Sequence, residues 1–330
     1  MHPPLVLSFG DPAGIGPELV VAAHRLAGQP FCVAGGQQLL AAAAARAGIA
    51  LDIIAIADPA ETAAGFAHGL PVLEGPDAQY RPSEPDADGA RAALASLHMA
   101  VELARSGRAA GVVTGPVAKS AIAAIAPGFI GQTELCADAC GVVRRDAVML
   151  LAGPQLKVVP LTVHCPLAEV PGRITQELIL HRTRIVDAAM RADFGMAQPR
   201  IAITGLNPHA GEDGYMGREE IATIAPAIAL LQGEGIAATG PHPADTLFAP
   251  RQRLTYDVAI AMYHDQALAP LKALDFDAGV NMTLGLPIVR TSPDHGTAFG
   301  IAGTGAAHPG ALCAAIRMAA EVAERRQARA

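Results

Sequence analysis

Short apolar runs alternate along this chain with longer Ala-rich stretches of helical period. Leu5-Val6-Leu7-Ser8-Phe9 reads as a buried strand, residues 10–16 as a turn, and residues 17–26 as a helix. Pro17 falls in the first helical turn, where a missing N–H costs little. Phe31-Cys32-Val33-Ala34 predicts the next strand, and residues 37–47 a helix closed by Gly48 just past its end. Residues 58–88, rich in Pro and Gly, are expected to be mostly loop. Asp88 is expected to cap a long helix over 89–106, and residues 111–114 to form another buried strand.

The second half follows the same logic. Apolar runs at 147–152 and 156–163, joined by Gly153-Pro154, predict a hairpin rather than a helix. Helices are expected at 174–191 and 219–232, and strands at 200–204 and 258–263. A terminal helix at 311–329 has its basic residues late, where they suit the helix dipole. Strands interleaved with helices predict an α/β fold built on a parallel sheet covered on both faces. No internal repeat or low-complexity linker stands out. A boundary is expected near Pro127-Gly128, with Gly285-Leu286-Pro287 as the return to the first domain. That gives one domain from 1–127 plus 285–330 and a second from 128–284.

Composition narrows the function classes. The chain has 330 residues, enough for two domains at ~100–200 residues each. Charged residues make up 17%, below the ~25% of an average globular protein, and a homo-oligomer with extra buried interface is expected from that. With 31 acidic against 24 basic side chains, 4% aromatics and no Trp, the chain lacks the basic footprint or stacking platform of a nucleic-acid binder. Mean hydropathy is positive, yet no run reaches the ~18 apolar residues of a spanning helix. Even residues 32–58 carry Gln37, Gln38, Arg46 and Asp52. The first residues lack a basic n-region and do not read as a signal peptide. Five cysteines with no CxxC pair indicate neither a disulfide framework nor a Cys-based zinc site. A cytoplasmic protein is the default expectation.

The chemistry collects on histidines. Five of the eleven sit in or beside turn-rich segments: His164, His209, His242, His264 and His295. His164, His209 and His264 each follow a predicted strand directly or within a few residues, and strand ends are where open α/β sheets place their sites. Each alone is well explained as a hydrogen-bonded loop histidine. Together, three neutral imidazoles would bind a divalent metal and leave positions open for substrate. Residues 10–18, GDPAGIGPE, follow a strand and open a helix, the context of a dinucleotide loop. Leu19 stands where a third Gly should be, however, and Pro17 removes an amide, so a structural turn is expected, with Asp11 and Glu18 near a site. Thr114 to Lys119 also runs strand to helix, and both capping and anion binding fit it. Thr133 makes a good N-cap for a short helix. Lys272, Asn281 and Arg290 follow His264 within a short span, and Lys and Arg are phosphate binders.

These segments together resemble one family, the 4-hydroxythreonine-4-phosphate dehydrogenases of pyridoxal phosphate biosynthesis (the PdxA family). The residues carrying the resemblance are GDPAGIGPE (10–18), TGPVAK (114–119), GQTE (131–134), NPHAGE (207–212) and PADTLF (243–248). AMYHDQ (261–266), VNMTLGLPIVRTSPDHGTAF (280–299) and IAG (301–303) complete the set in family order. The resemblance implies a two-domain α/β/α sandwich like isocitrate and isopropylmalate dehydrogenases, with the active-site cleft between domains. It also implies a homodimer with active sites at the subunit interface. It matches His164, His209 and His264 to metal ligands, at least one supplied across the dimer, and Gln132, Thr133, Lys272, Asn281 and Arg290 to substrate-binding positions. The implied cofactors are NAD or NADP, bound without the glycine fingerprint, and a divalent metal (zinc, magnesium or cobalt). No cofactor-binding residue is assigned.

One departure stands out. The family pattern has His before the Thr of GHTE, and here Gln132 takes its place. Gln can donate a hydrogen bond but cannot carry a proton at neutral pH. The expected mechanism has the metal bind the C3 hydroxyl and a neighbouring amino group. Hydride then passes to the nicotinamide, and the resulting β-keto acid loses carbon dioxide. Lys272, Asp245 or Asp265 is expected to move the proton. Three alternatives remain at this point. One is a paralogue oxidising D-threonate or D-erythronate 4-phosphate, which Gln132 makes worth testing. A relative acting on aromatic cis-dihydrodiol dicarboxylates is disfavoured by Lys272, Asn281 and Arg290. A non-redox phospho-ligand transferase is disfavoured by the three histidines.

Overall fold

The structure, a computed structural model, describes residues 3–329. Backbone contacts divide the chain into two compact units. One runs up to Ala147 and resumes over Leu286–Gln327, and the other spans Val148–Gly285.

The first unit begins with five short strands: β1 (Leu5–Ser8), β2 (Phe31–Ala34), β3 (Ile53–Ile56), β4 (Leu70–Leu73) and β5 (Gly111–Thr114). The second unit contributes β6 (Val148–Ala152), β7 (Lys157–Thr162), β8 (Ile201–Thr204), β9 (Ala238–His242), β10 (Val258–Tyr263) and β11 (Val280–Leu284). The chain then re-enters the first unit at Leu286 and adds β12 (Arg290–Pro293).

In the first unit the strand order is β3-β4-β2-β1-β5-β12, and all neighbours run parallel. β1, β2, β4, β5 and β12 are buried at every position, as strands covered on both faces must be. The helix Ala87–Arg105 packs on β1, β2 and β5, while Gly310–Gln327 packs on β12, β5 and β1. The long helix starts two residues earlier than expected because Asp86, not Asp88, caps it, its Oδ1 accepting from Gly89 N at 2.6 Å.

Two expectations change here. The Pro- and Gly-rich stretch 58–88 is not mostly loop, since it contains β4, an interior strand. Pro71 and the flanking Gly69 and Gly75 disguised it. The first boundary falls at Ala147, later than Pro127, because Cys136, Ala137 and Ala147 bury into the first unit's core with Val6, Leu97 and Val112.

In the second unit the order is β11-β6-β7-β10-β8-β9. β6 and β7 form the expected antiparallel hairpin, with Leu151 opposite Val158. β11 pairs antiparallel with β6, whereas β7, β10, β8 and β9 run parallel. The core joins Leu151, Val158, Ala202 and Ala261 of the sheet to Leu268 and Leu271 of the helix His264–Asp275. β10 inserts between β7 and β8, so the C-terminal ends of three parallel strands lie side by side. Among the described residues no helix is long and apolar enough to cross a membrane.

Candidate metal and anion sites

The ends of these three strands carry the histidines singled out above. His164 follows β7 by two residues and His264 follows β10 directly, at the first position of helix His264–Asp275. Thr162 is in register with Tyr263, and Thr162 Oγ1 donates to Met262 O at 2.9 Å, tying the two strand ends together. The His164 and His264 rings come within 6.1 Å, centroid to centroid. Both line a cavity of about 390 Å³ with Thr162, Cys165, Tyr263 and Asp265. His264 Nδ1 lies 2.7 Å from Asp265 Oδ1. A carboxylate only accepts, so Nδ1 is the donor, and in the neutral ring that leaves the lone pair on Nε2. Two facing imidazoles, one oriented by a carboxylate, suit a borderline divalent ion.

His209 is held differently. It begins a run of left-handed residues, His209, Ala210, Gly211, Glu212 and Asp213, with φ between 42° and 80°. Non-glycine residues usually enter this region singly, and each costs on the order of 1 kcal/mol. Glu220 supports the turn from a short π-helical segment, Glu220–Ile224. Its carboxylate is 3% exposed, and Oε1 accepts from Leu206 N and Asn207 N, both at 2.8 Å. Asn207 Nδ2 donates to both Glu219 and Glu220. Glycine is required at 211, where a Cβ would lie 2.6 Å from Glu220 Oε2. His209 itself is exposed. Among the described residues no three His, Cys, Asp or Glu side chains are placed to hold one metal ion, so the structure brings His164 and His264 together and His209 does not join them.

The remaining second-unit residues are dispersed over the unit, Asn281 lying in register, through Leu151, with Val158 near the start of β7. Asp245 is exposed on the short helix Ala244–Leu247, which packs on the His209 turn. Lys272 is exposed near the end of helix His264–Asp275. Asn281 is half-buried on β11, and its Oδ1 has no hydrogen-bond partner among the described residues. His242 ends β9, and burial pushes its imidazole below the ordinary value. Gln266, which sequence reasoning passed over, locks this end of the sheet. Its Oε1 accepts from Thr204 Oγ1 and Met262 N, and its Nε2 donates to Gly205 O.

In the first unit, Arg290 stands at the start of β12, 3% exposed. Burial pushes its guanidinium below the ordinary value. Its Nη2 donates to Thr114 Oγ1 at 2.8 Å and to Gln132 Oε1 at 2.7 Å. Thr114 ends β5 and donates to the same Gln132 oxygen at 2.6 Å, while Gln132 Nε2 donates to Gly115 O at 2.8 Å. The helix Gln132–Ala139 starts two residues earlier than a Thr133 cap requires. Gly131 occupies the cap position without a side-chain bond, and Thr133 sits half-buried in the first turn.

The turn at 10–16 is structural. Asp11 N donates to Pro116 O, Gly14 N to Asp11 O and Ile15 N to Thr297 O, so these amides are committed within the protein. The Asp11 carboxylate accepts from Ala13 N, and burial raises its pKa. Glu18 likewise accepts from Gly303 N and is raised by burial. Another cavity, about 490 Å³, lies at the N-terminal ends of the first unit's strands, around Leu5, Asp58, Arg108 and Glu324. None of the candidate site residues lines it.

Comparison with known proteins adds an independent line. The family model of the pyridoxal phosphate biosynthetic protein PdxA matches residues 27–319. A 4-hydroxythreonine-4-phosphate dehydrogenase of Erythrobacter litoralis is 57% identical over 98% of this chain and 97% of its own length. One of Zymomonas mobilis is 48% identical over 98% and 97%. The crystal structure of 4-hydroxythreonine-4-phosphate dehydrogenase from Klebsiella pneumoniae superposes with a TM-score of 0.86 at 37% identity, covering 98% of each chain.

Proposed function

The chain belongs to the PdxA family of pyridoxal phosphate biosynthetic proteins, and from that premise we propose that it is an NAD(P)- and divalent-metal-dependent dehydrogenase acting on 4-phosphohydroxy-L-threonine. The product would be 2-amino-3-oxo-4-phosphooxybutanoate, which loses carbon dioxide to give 3-amino-2-oxopropyl phosphate. The observation that supports this reading most is the His164–His264 pair at the ends of adjacent parallel strands, with Asp265 on the Nδ1 side of His264.

His164, His209 and His264 are the residues to hold the ion, the last through Nε2, and because His209 stands apart from the other two within one chain, at least one of the three would be supplied across the proposed dimer. A divalent ion there supplies Lewis acidity toward the substrate's C3 oxygen, and the nicotinamide supplies the hydride acceptor. Asp265, bonded to His264, acts as an orienting group rather than a proton carrier. That leaves Lys272 or Asp245 to take the proton from the C3 hydroxyl. Arg290, Thr133 and Asn281 hold the phosphate and carboxylate. The unpartnered Asn281 Oδ1 suits the substrate's ammonium or hydroxyl donors. A working homodimer belongs to the same proposal.

The test is NADH or NADPH formation with 4-phosphohydroxy-L-threonine against D-threonate 4-phosphate, each with zinc, magnesium or cobalt after chelation. The first substrate should turn over at least tenfold more efficiently, and only with metal. Preference for D-threonate 4-phosphate would move the assignment to the sugar-acid paralogue, and metal-independent turnover would remove the histidine site from the chemistry.

A further inference from the structure

We propose that Gln132, the residue departing from the family's GHTE pattern, is a positioning residue that aims Arg290 without a titratable proton. The proposal rests on the reading that Arg290 binds the substrate's anionic groups.

The hydrogen-bond inventory carries it. An amide side chain has two acceptor sites on oxygen and two N–H donors. Gln132 spends both acceptor sites inside the protein, one on Arg290 Nη2 at 2.7 Å and one on Thr114 Oγ1 at 2.6 Å. One N–H is spent on Gly115 O at 2.8 Å. The amide orientation is fixed by chemistry, because a guanidinium only donates and a backbone carbonyl only accepts. Three of the four bonding positions of Gln132 therefore brace β5 and Arg290, leaving one N–H for a ligand. Thr114 closes the triangle by accepting from Arg290 Nη2 at 2.8 Å. The guanidinium, 3% exposed, is thus fixed by neutral oxygens that leave its charge in place.

A histidine at this position could reproduce part of the brace. A neutral imidazole accepts at one nitrogen and donates at the other, so it could serve Arg290 and Gly115 but not Thr114 as well. Once protonated it has no acceptor and adds a positive charge beside Arg290. Gln132 keeps its acceptors at every pH, so the orientation of Arg290 should not change between pH 5.5 and 8.

The experiment compares wild type with Gln132→His, Gln132→Ala and the volume-keeping Gln132→Met at pH 5.5 and 8. Inorganic phosphate affinity is read by ligand-dependent thermal shift, and KM and kcat are measured with 4-phosphohydroxy-L-threonine. Each variant is expressed relative to wild type at the same pH, which cancels the phosphate's own ionisation. Gln132→Ala and Gln132→Met should weaken phosphate binding and raise KM about tenfold at both pH values, with little change in kcat. Gln132→His should stay within about threefold of wild type at pH 8 and fall at least tenfold behind at pH 5.5.

Relative tightening of Gln132→His at pH 5.5 would overturn the proposal, because it would mean direct contact with the anion. A pH-independent Gln132→His, wild-type phosphate affinity in both Gln132→Ala and Gln132→Met, or absence of phosphate binding by wild type would overturn it as well. If phosphate binding follows the expected pattern but no phosphorylated substrate is oxidised, the proposed activity fails while the role of Gln132 stands.

Discussion

The two candidate sites differ in how finished they are before any ligand arrives. In the first unit Arg290 is buried and its Nη2 already bonded to Thr114 and Gln132, whose remaining contacts run to the backbone. In the second unit His164 and His264 approach each other, but His209 stands exposed on a left-handed turn held by Glu220. The chemistry explains the contrast. A buried guanidinium needs its hydrogen bonds in the empty protein as much as in the complex. A metal ligand must present an unused lone pair, so a metal site is left open by design, and strain in its supporting turn is held by neighbouring bonds.

That contrast is open to graded tests. The largest effect should come from His264→Ala, which removes a proposed metal ligand outright. Loss of a residue behind a ligand costs about 10–100-fold in metal affinity or activity, so metal-dependent turnover should fall by at least ~100-fold. Thermal unfolding should barely move, since His264 is 41% exposed. A large loss of melting temperature would make its role structural.

Arg290→Lys comes next. Lysine keeps the charge but cannot hold Thr114 and Gln132 through one planar fork. KM for the phosphorylated substrate should rise about 10–100-fold, with metal affinity unchanged in a titration of the chelated protein. An equal loss of metal affinity would erase the distinction between the two sites.

Glu220→Gln probes the turn itself. It replaces a carboxylate that accepts two backbone N–H groups and should cost roughly 1–3 kcal/mol of stability by denaturant unfolding. It should also weaken metal binding while leaving the Arg290 side untouched. Unchanged metal affinity would detach the left-handed turn from ligand placement.

The smallest effect is a control on the rim. Arg200 donates to Asp257 and holds its carboxyl below the ordinary value, with a further backbone bond assisting. A lowered folded-state pKa stabilises the protein above the unfolded value and is lost as pH falls through the folded one. Asp257→Asn should therefore cost less than ~1 kcal/mol at pH 7, after allowing for solvent screening, and less as pH falls through the folded-state value. A larger cost would mean that this ion pair matters more than its position suggests.

These sites were legible in the sequence to different degrees. The strand-end histidines are local signals, each within a few residues of an apolar run, and β7, β8 and β10 lie next to one another as parallel strands. The bracing around Arg290 was not legible, because Thr114 and Gln132 are 176 and 158 residues away along the chain. Arg290 stands out as a candidate anion binder in the sequence, but nothing there shows that Gln132 and Thr114 bond to it. Gln266 and Glu220 escaped notice for the same reason, since their partners sit on other strands or across a turn whose handedness no pattern announces. β4 was hidden by Pro71, which suits an edge more than the sheet interior. The residues between Pro127 and Ala147 were placed with the wrong neighbours because Cys136 and Ala137 give a weak apolar signal until they meet a core.

The most direct measurement is a calorimetric titration of Co²⁺ or Zn²⁺ into chelator-treated wild type, His264→Ala and Arg290→Lys. The account predicts one tight ion per chain in wild type and Arg290→Lys, and at least ~100-fold weaker binding in His264→Ala. Equal affinity in wild type and His264→Ala would contradict it.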